Sequence, residues 1–396
     1  MLDGTIILYF SFFSEKKYFN IEDNKYLNKI KSWPFIDSSF NDYFINIFSK
    51  NAEIKSIPKE LISPEIFNYD DELSNCNFTI ETKLNFKEYK YLNIIKCGYK
   101  IDGLNINEIQ KLSKTKSEIL FEKITELNIP ELRHKSDQIK KQLFAQKLKS
   151  QVVLLDQNNL SFSERKYALL DLALDKANGT SKRTIETEET QTNAHSKSYI
   201  QALLNNSLID QYQDWSTVIT QKKIITIYNN DNPDNLVHNT VQFGLIYIQK
   251  IIVSELISCL NLWVNENKFE YNLELSKYYM YVSRNLNFKI ISTKYLYNEY
   301  SKILDSNLKI NDEKEVINNK LKEIENILEK EKNQTSNLLL FAIAIIQILS
   351  VFIDEIRNEA AEILNLNKSN VSHFILSTII IACGIIIYLF VRRRKI

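Results

Sequence analysis

The chain has 396 residues, of which 44% are hydrophobic and 25% charged, with a formal net charge of +1. This composition suits a folded protein of two or three domains and excludes a wholly disordered chain. It also lacks the basic excess of a nucleic-acid binder, so no direct nucleic-acid partner is expected.

Only six glycines are present, and no two lie within four residues of each other. A phosphate loop or a dinucleotide fingerprint needs clustered glycines so that backbone N–H groups can wrap a phosphate, and neither motif is present. The cysteines Cys76, Cys97, Cys259 and Cys383 form no CxxC pair, which suggests a reduced compartment without a disulfide framework. The histidines His134, His195, His238 and His373 are dispersed and give no metal-ligand spacing. With no nucleophile–base pair either, the chain is not expected to be an enzyme.

Residues 4–13 (GTIILYFSFF) form a run of β-branched and aromatic residues. Asp3 rather than lysines precedes the run, and no small-residue cleavage site follows, so it reads as a buried strand and not as a secretory signal. The N-terminal region is then expected to be cytosolic. Pro34, Pro58 and Pro64 break 14–75 into short pieces. Residues 77–83 and 89–97 suggest a pair of antiparallel strands, 105–127 and 130–150 two helices, and 151–156 (QVVLLD) another strand. Residues 1–175 are therefore expected to form a cytosolic α/β domain.

Between 176 and 198 the only aliphatic residue larger than alanine is Ile185, which predicts a flexible linker or loop. Residues 199–336 should form a helical cytosolic region and stalk, with a strand or hairpin at 215–229. The apolar helix at 236–266 carries Gln249, Lys250, Ser254, Glu255, Ser258 and Asn261 at helical spacing. That polar face predicts packing within the cytosolic part instead of membrane insertion. From 312 onward, Ile317, Leu321, Ile324 and Leu328 recur at steps of four and three, a short heptad seam. It suits either packing on its own subunit or a stalk that self-associates.

Residues 337–396 are expected to supply two transmembrane helices and a basic tail. Leu338–Ile353 and Phe374–Val391 are charge-free runs of 16 and 18 residues, and Arg392, Arg393, Arg394 and Lys395 follow the second. The basic tail predicts cytosolic termini on either side of an outward loop at 354–373, acidic through Asp354, Glu355, Glu359 and Glu362. Ser336, Leu340, Ile343, Gln347, Ser350 and Asp354 share one face of the first run and are candidate pore-lining residues. A pore from two helices per chain would need a homo-oligomer.

This order of an α/β domain, a long helix, a first span, an acidic loop, a second span and the Arg392–Lys395 tail resembles the CorA-type divalent cation transporter superfamily. The resemblance rests on the last 85 residues or so, and it implies a pentameric funnel in the bacterial inner membrane. The family's Gly-Met-Asn signature is absent, because the only methionines are Met1 and Met280 and the corresponding place reads Phe352-Ile353-Asp354-Glu355. A divergent CorA-like branch accompanies type III CRISPR loci, and a chain without the signature resembles that branch more than a housekeeping transporter. That resemblance implies an effector whose cytosolic domain senses a nucleotide-type second messenger and then permeabilises the bilayer. A magnesium transporter and a membrane-tethered scaffold are the alternatives, so Mg2+ and a small nucleotide are the expected ligands.

Overall fold

The computed structural model describes residues 1–15, 74–82, 89–158, 160–187, 196–229, 233–266, 272–283 and 295–364. The chain divides into two compact units, Met1–Asn318 and Asn319–Ile396.

The first unit is α+β, built on a seven-stranded mixed sheet. Its strands are β1 (Leu2–Ser14), β2 (Ser74–Glu81), β3 (Tyr91–Leu104), β4 (Lys149–Asp156), β5 (Leu208–Ile209), β6 (Trp215–Ile219) and β7 (Lys223–Asn229), in the order β2-β3-β1-β4-β7-β6-β5. Among the described residues, only β4 and β7 pair in parallel; the other neighbours are antiparallel. The sheet thus draws strands from both sides of 176–198, and the expected separation there is not a boundary of the sheet. Part of that segment is also ordered, as helix α4 (Thr180–Thr187). Gly179 and Ser181 donate their backbone N–H groups to the buried Asp171 carboxylate at 2.6 and 2.8 Å. Two charge-assisted bonds hold a segment that has little apolar surface of its own to bury.

The alternation of β1 explains why the sheet is covered on both faces. Its even positions Leu2, Ile6, Leu8, Phe10 and Phe12 join Ile95, Cys97 and Tyr99 of β3 in one core cluster. Three helices close that face: α1 (Ile106–Glu126), α2 (Asp137–Lys147) and α3 (Phe162–Ala173), through Ile109, Leu120, Phe144 and Leu169 among others. Asn105 opens α1 with a capping box to Glu108. Ser161 does the same for α3 with Glu164, satisfying two orphan N-terminal donors in each helix.

The odd positions of β1 meet the long helix α6 (Pro233–Glu266), which follows α5 (Lys197–Ser207) in the chain. Tyr9 packs edge-on against Tyr247 with ring centroids 5.5 Å apart, and Ser11 Oγ donates to Glu255 Oε1 at 2.7 Å. Residues such as Ile246, Ile248, Ile251, Val253 and Ile257 are buried, so the apolar middle of α6 is core. Helices α7 (Asn272–Tyr281) and α8 (Tyr295–Asn307) follow it. Phe243 of α6 stacks on Tyr300 of α8 at 4.3 Å, and Lys250 pairs with Asp305 at 2.7 Å with no lysine side-chain exposure. Burial pushes the Lys250 ammonium below its usual range, and Asp305 opposes that shift.

Helix α9 (Ile310–Leu364) is continuous over 55 residues. Ile310 and Ile317 at its start are fully buried in the first unit. Among the described residues, no helix is long and apolar enough to cross a membrane. This corrects the expected two-span funnel, together with the channel reading and the multi-pass inner-membrane location. Gln347 and Ser350 interrupt the run Leu338–Ile353, and Asp354 ends it. Its 16 residues extend about 24 Å as helix, short of a bilayer core of about 30 Å. The second run, 374–391, lies outside the described residues. The expected outer loop is also corrected in its first part, because 354–364 continues the helix.

Gly4 tests the register of β1 most sharply. Its φ is +150°, and a Cβ there would sit 1.9 Å from the Val153 carbonyl oxygen of β4. Gly4→Ala should therefore destabilise the first unit by about 2–4 kcal/mol, combining strained backbone with overpacking. Urea denaturation followed by circular dichroism measures the loss, and an unchanged midpoint would contradict this register.

Candidate functional site at the carboxyl ends of β4 and β7

The parallel pair β4 and β7 is where the chain leaves the sheet in opposite directions. After Asp156, β4 leads to α3, whose Ala168, Leu169 and Leu172 pack in the cluster with Val152 and Leu154. After Asn229, β7 leads to α6 on the other face, where Tyr247 meets Tyr9. Adjacent parallel strands whose following helices diverge form a topological switch point, the place where open α/β sheets bind ligands. Because β1 runs antiparallel to β4, its start also lies here, with Leu2 opposite Asp156.

Arg165 joins the parts of this site. Its Nη1 donates to Asn229 Oδ1 at 2.8 Å, and its Nη2 donates to the Gln213 carbonyl at 2.7 Å. Its guanidinium carbon lies 5.9 Å from the Phe162 ring centroid. The residue is only 1% exposed. Burial lowers its pKa from the ordinary arginine value, while Asp156 and Asp214 oppose the shift. Among the described residues, its buried Nε–H has no hydrogen-bond partner.

The carboxylates around Arg165 differ in how far they are already committed. Asp156 accepts the N–H of Asn158 at 3.1 Å and that of Leu160, which shapes the β4–α3 turn. Asp3 accepts the Gly103 N–H at 2.7 Å and a bond from Gln157. Asp214 is exposed, and its backbone carbonyl accepts the Asn229 N–H at 2.8 Å. Two carboxylates, Asp156 and Asp214, act on one guanidinium, the reverse of a phosphate cradle. The rim carries two exposed aromatics, Phe162 at 47% and Tyr212 at 37%.

A second polar group lies near the opposite ends of β1 and β4. Lys147 Nζ contacts Glu131 Oε2 at 2.5 Å and Glu255 Oε2 at 4.0 Å, and Glu131 Oε1 accepts the Phe13 N–H at 2.9 Å. Burial works against the Lys147 charge, but the two carboxylates outweigh it and raise the pKa. Burial pushes the neighbouring Cys259 thiol up to about 12, so it stays protonated. This group ties β1, α2 and α6 together. Farther along α6, Ser258 Oγ donates to Glu313 Oε2 at 2.7 Å, and Asn261 Nδ2 donates to the Glu313 carbonyl at 3.3 Å.

The sequence-derived candidates lie elsewhere. Ser336, Leu340, Ile343 and Gln347 are exposed on α9, and Ser350 and Asp354 continue the same helix. Glu355, Glu359 and Glu362 are on α9 too. In the heptad seam, Ile317 is buried in the first unit and Leu321 is half-buried, while Ile324 and Leu328 are placed by the helix backbone alone. Arg392, Arg393, Arg394 and Lys395 lie outside the described residues. Sequence reasoning did not find Arg165. The available signal was an arginine at the start of the buried stripe Arg165, Ala168, Leu169, Leu172, spaced three, four and seven residues apart. Among the described residues, no group of three or more His, Cys, Asp or Glu side chains could hold a metal ion. Compared with family models, curated proteins and solved structures, the chain matches none.

Glu313 gives a pH-dependent test of the contact between α6 and α9. Burial raises its carboxyl above 4.5, with Glu255 adding to the shift and Ser258, Asn261 and Lys309 opposing it. The folded state thus holds this proton more tightly than the unfolded chain does. The charged form costs stability above the folded pKa, and that cost disappears as pH falls below the unfolded value. Glu313→Gln keeps an acceptor for Ser258 and removes the charge. It should raise the melting temperature at pH 7, with the gain shrinking to nothing near about pH 4. Thermal melts of both proteins across this range check it, and a gain independent of pH would contradict it.

Proposed function

We propose that this chain is a ligand-responsive, self-associating effector. In this reading, a small polar ligand binds at the carboxyl ends of β4 and β7, helix α6 carries the response, and α9 engages α9 of another copy. One observation carries the proposal: α6 spans from the site to the root of the long helix. It begins at Pro233, four residues after Asn229 closes β7, and through Ser258 and Asn261 it bonds Glu313 in the first turn of α9. At 34 residues, it is about 51 Å long. A ligand shifts this system only by binding two arrangements of α6 with different affinity.

Self-association is supported by the apolar residues that α9 leaves uncovered. Leu340, Phe341 and Ile343 are 61%, 64% and 43% exposed. A hydrophobic stripe on a long helix is commonly buried by a second helix. The resemblance drawn from the sequence implies five copies. The acid-rich site makes a bare polyphosphate a poor ligand, which weighs against an unmodified nucleotide messenger.

The test is light scattering of the full-length chain after size exclusion. Wild type should run as a multimer, and Leu340→Glu with Ile343→Glu should shift it to smaller species while the first unit melts unchanged. A monomeric wild type would contradict the proposal, and so would a multimer indifferent to these substitutions. A multimer lost equally in Ser258→Ala would favour α6 as the carrier.

A further inference from the structure

The segment between β5 and β6 holds an aromatic platform at the same site. The Tyr212 ring stacks on Trp215 at 4.8 Å with an interplanar angle of 11°, so one of its faces is covered. Trp215 is itself 4% exposed and packs against Tyr228 at 5.9 Å and Phe243 at 5.6 Å. The covered face therefore rests on a fixed core, while the tyrosine as a whole remains 37% exposed. The segment's backbone is pinned as well, since Gln213 O accepts from Arg165 and Asp214 O accepts from Asn229. A rigid, backed aromatic ring loses little conformational entropy when a second flat group stacks on it.

The charge around this ring selects what can stack. Asp210 and Asp214 flank Tyr212 in the sequence, and Gln211 Nε2 contacts Glu299 Oε1 at 3.5 Å. The cation on the inner side is Arg165, which is buried and directs both terminal nitrogens to Asn229 and Gln213. An incoming group therefore meets carboxylates and the negative face of a π-system. Both favour a positive charge and disfavour phosphate or carboxylate.

We propose that Tyr212, backed by Trp215 and flanked by Asp210 and Asp214, binds a planar organic cation, and that this is the ligand class of the switch-point site. The proposal rests on the reading of that site as the ligand site of an effector. The stacked geometry calls for a planar group, and Asp210 and Asp214, two residues to either side of the ring, call for positive charge.

The test titrates the full-length protein with 1-methylnicotinamide, a flat cation, and with nicotinamide, its uncharged counterpart, by calorimetry. The cation should bind saturably and about tenfold more tightly than the neutral compound. Tyr212→Leu should weaken the cation by about 2- to 30-fold. Asp214→Asn should weaken it less and flatten its salt dependence. Melting curves of both variants that match wild type exclude misfolding as the cause, and Tyr212→Phe, which keeps the ring, should restore binding. Equal affinity for the two compounds, unchanged binding in Tyr212→Leu, or no binding of the cation would each overturn the inference. Because the oligomer measurement uses neither compound, a failure here with an intact multimer would reject the ligand class and leave self-association standing.

Discussion

The first unit depends on one constraint: β1 is buried on both faces, so two separate layers must cover the sheet. Of its 13 residues, only Asp3 keeps partial exposure. The even positions need the α1–α3 layer and the odd positions need α6. Removing either layer would expose a run of aromatic and β-branched side chains, each worth roughly 1.5–3 kcal/mol of burial. The odd face is the more demanding because it is not purely apolar. Tyr9, Ser11 and Gln151 bring polar groups into it, and Tyr9 Oη and Gln151 Oε1 satisfy each other at 3.0 Å. Ser11 needs Glu255, and Glu255 in turn needs a cation, which Lys147 provides. The polar positions of α6 therefore fix where it sits on the sheet, while its apolar positions supply most of the burial.

The same helix links two regions that would otherwise be independent. The strand β7 that ends in Asn229 continues into α6, and α6 holds the first turn of α9 through Glu313. These contacts are part-buried, and a shift of one residue along α6 would break both of its bonds to Glu313. The proposed response would therefore run along a single helix, from the switch point to the root of α9. Lys250 and Asp305 add α8 to the assembly at its middle.

Much of the sheet was legible in the sequence, because β1, β3 and β4 are runs of β-branched and aromatic residues long enough to be distinctive. The parallel pairing of β4 with β7 was not legible. It joins residues more than 70 positions apart, and no local pattern encodes such a pairing. Helix α4 was hidden for a different reason: its order comes from Asp171 accepting two backbone N–H groups, not from apolar surface. The polar face of α6 was visible by spacing, but its partners Ser11, Asp305 and Glu313 were not. At the carboxyl end of the chain, absence of charge was read as span length. Among the described residues no helix is long and apolar enough to cross a membrane, and the first run is part of a single helix that continues past it to Leu364. The site at β4 and β7 went unread because it is assembled by topology: Asp3, Asp156, Arg165, Asp214 and Asn229 are distant in sequence and share no motif.

If α6 is an inseparable layer of the sheet core, its amides must open together with those of β1. Native-state hydrogen exchange with mass spectrometry, comparing peptides over Ile246–Leu260 with peptides over Ile6–Phe12, measures this directly. The account predicts one shared opening free energy for the two segments. Exchange through α6 at markedly lower free energy while β1 stays protected would show that the helix detaches on its own, and the coupling from the switch point to α9 would be lost with it.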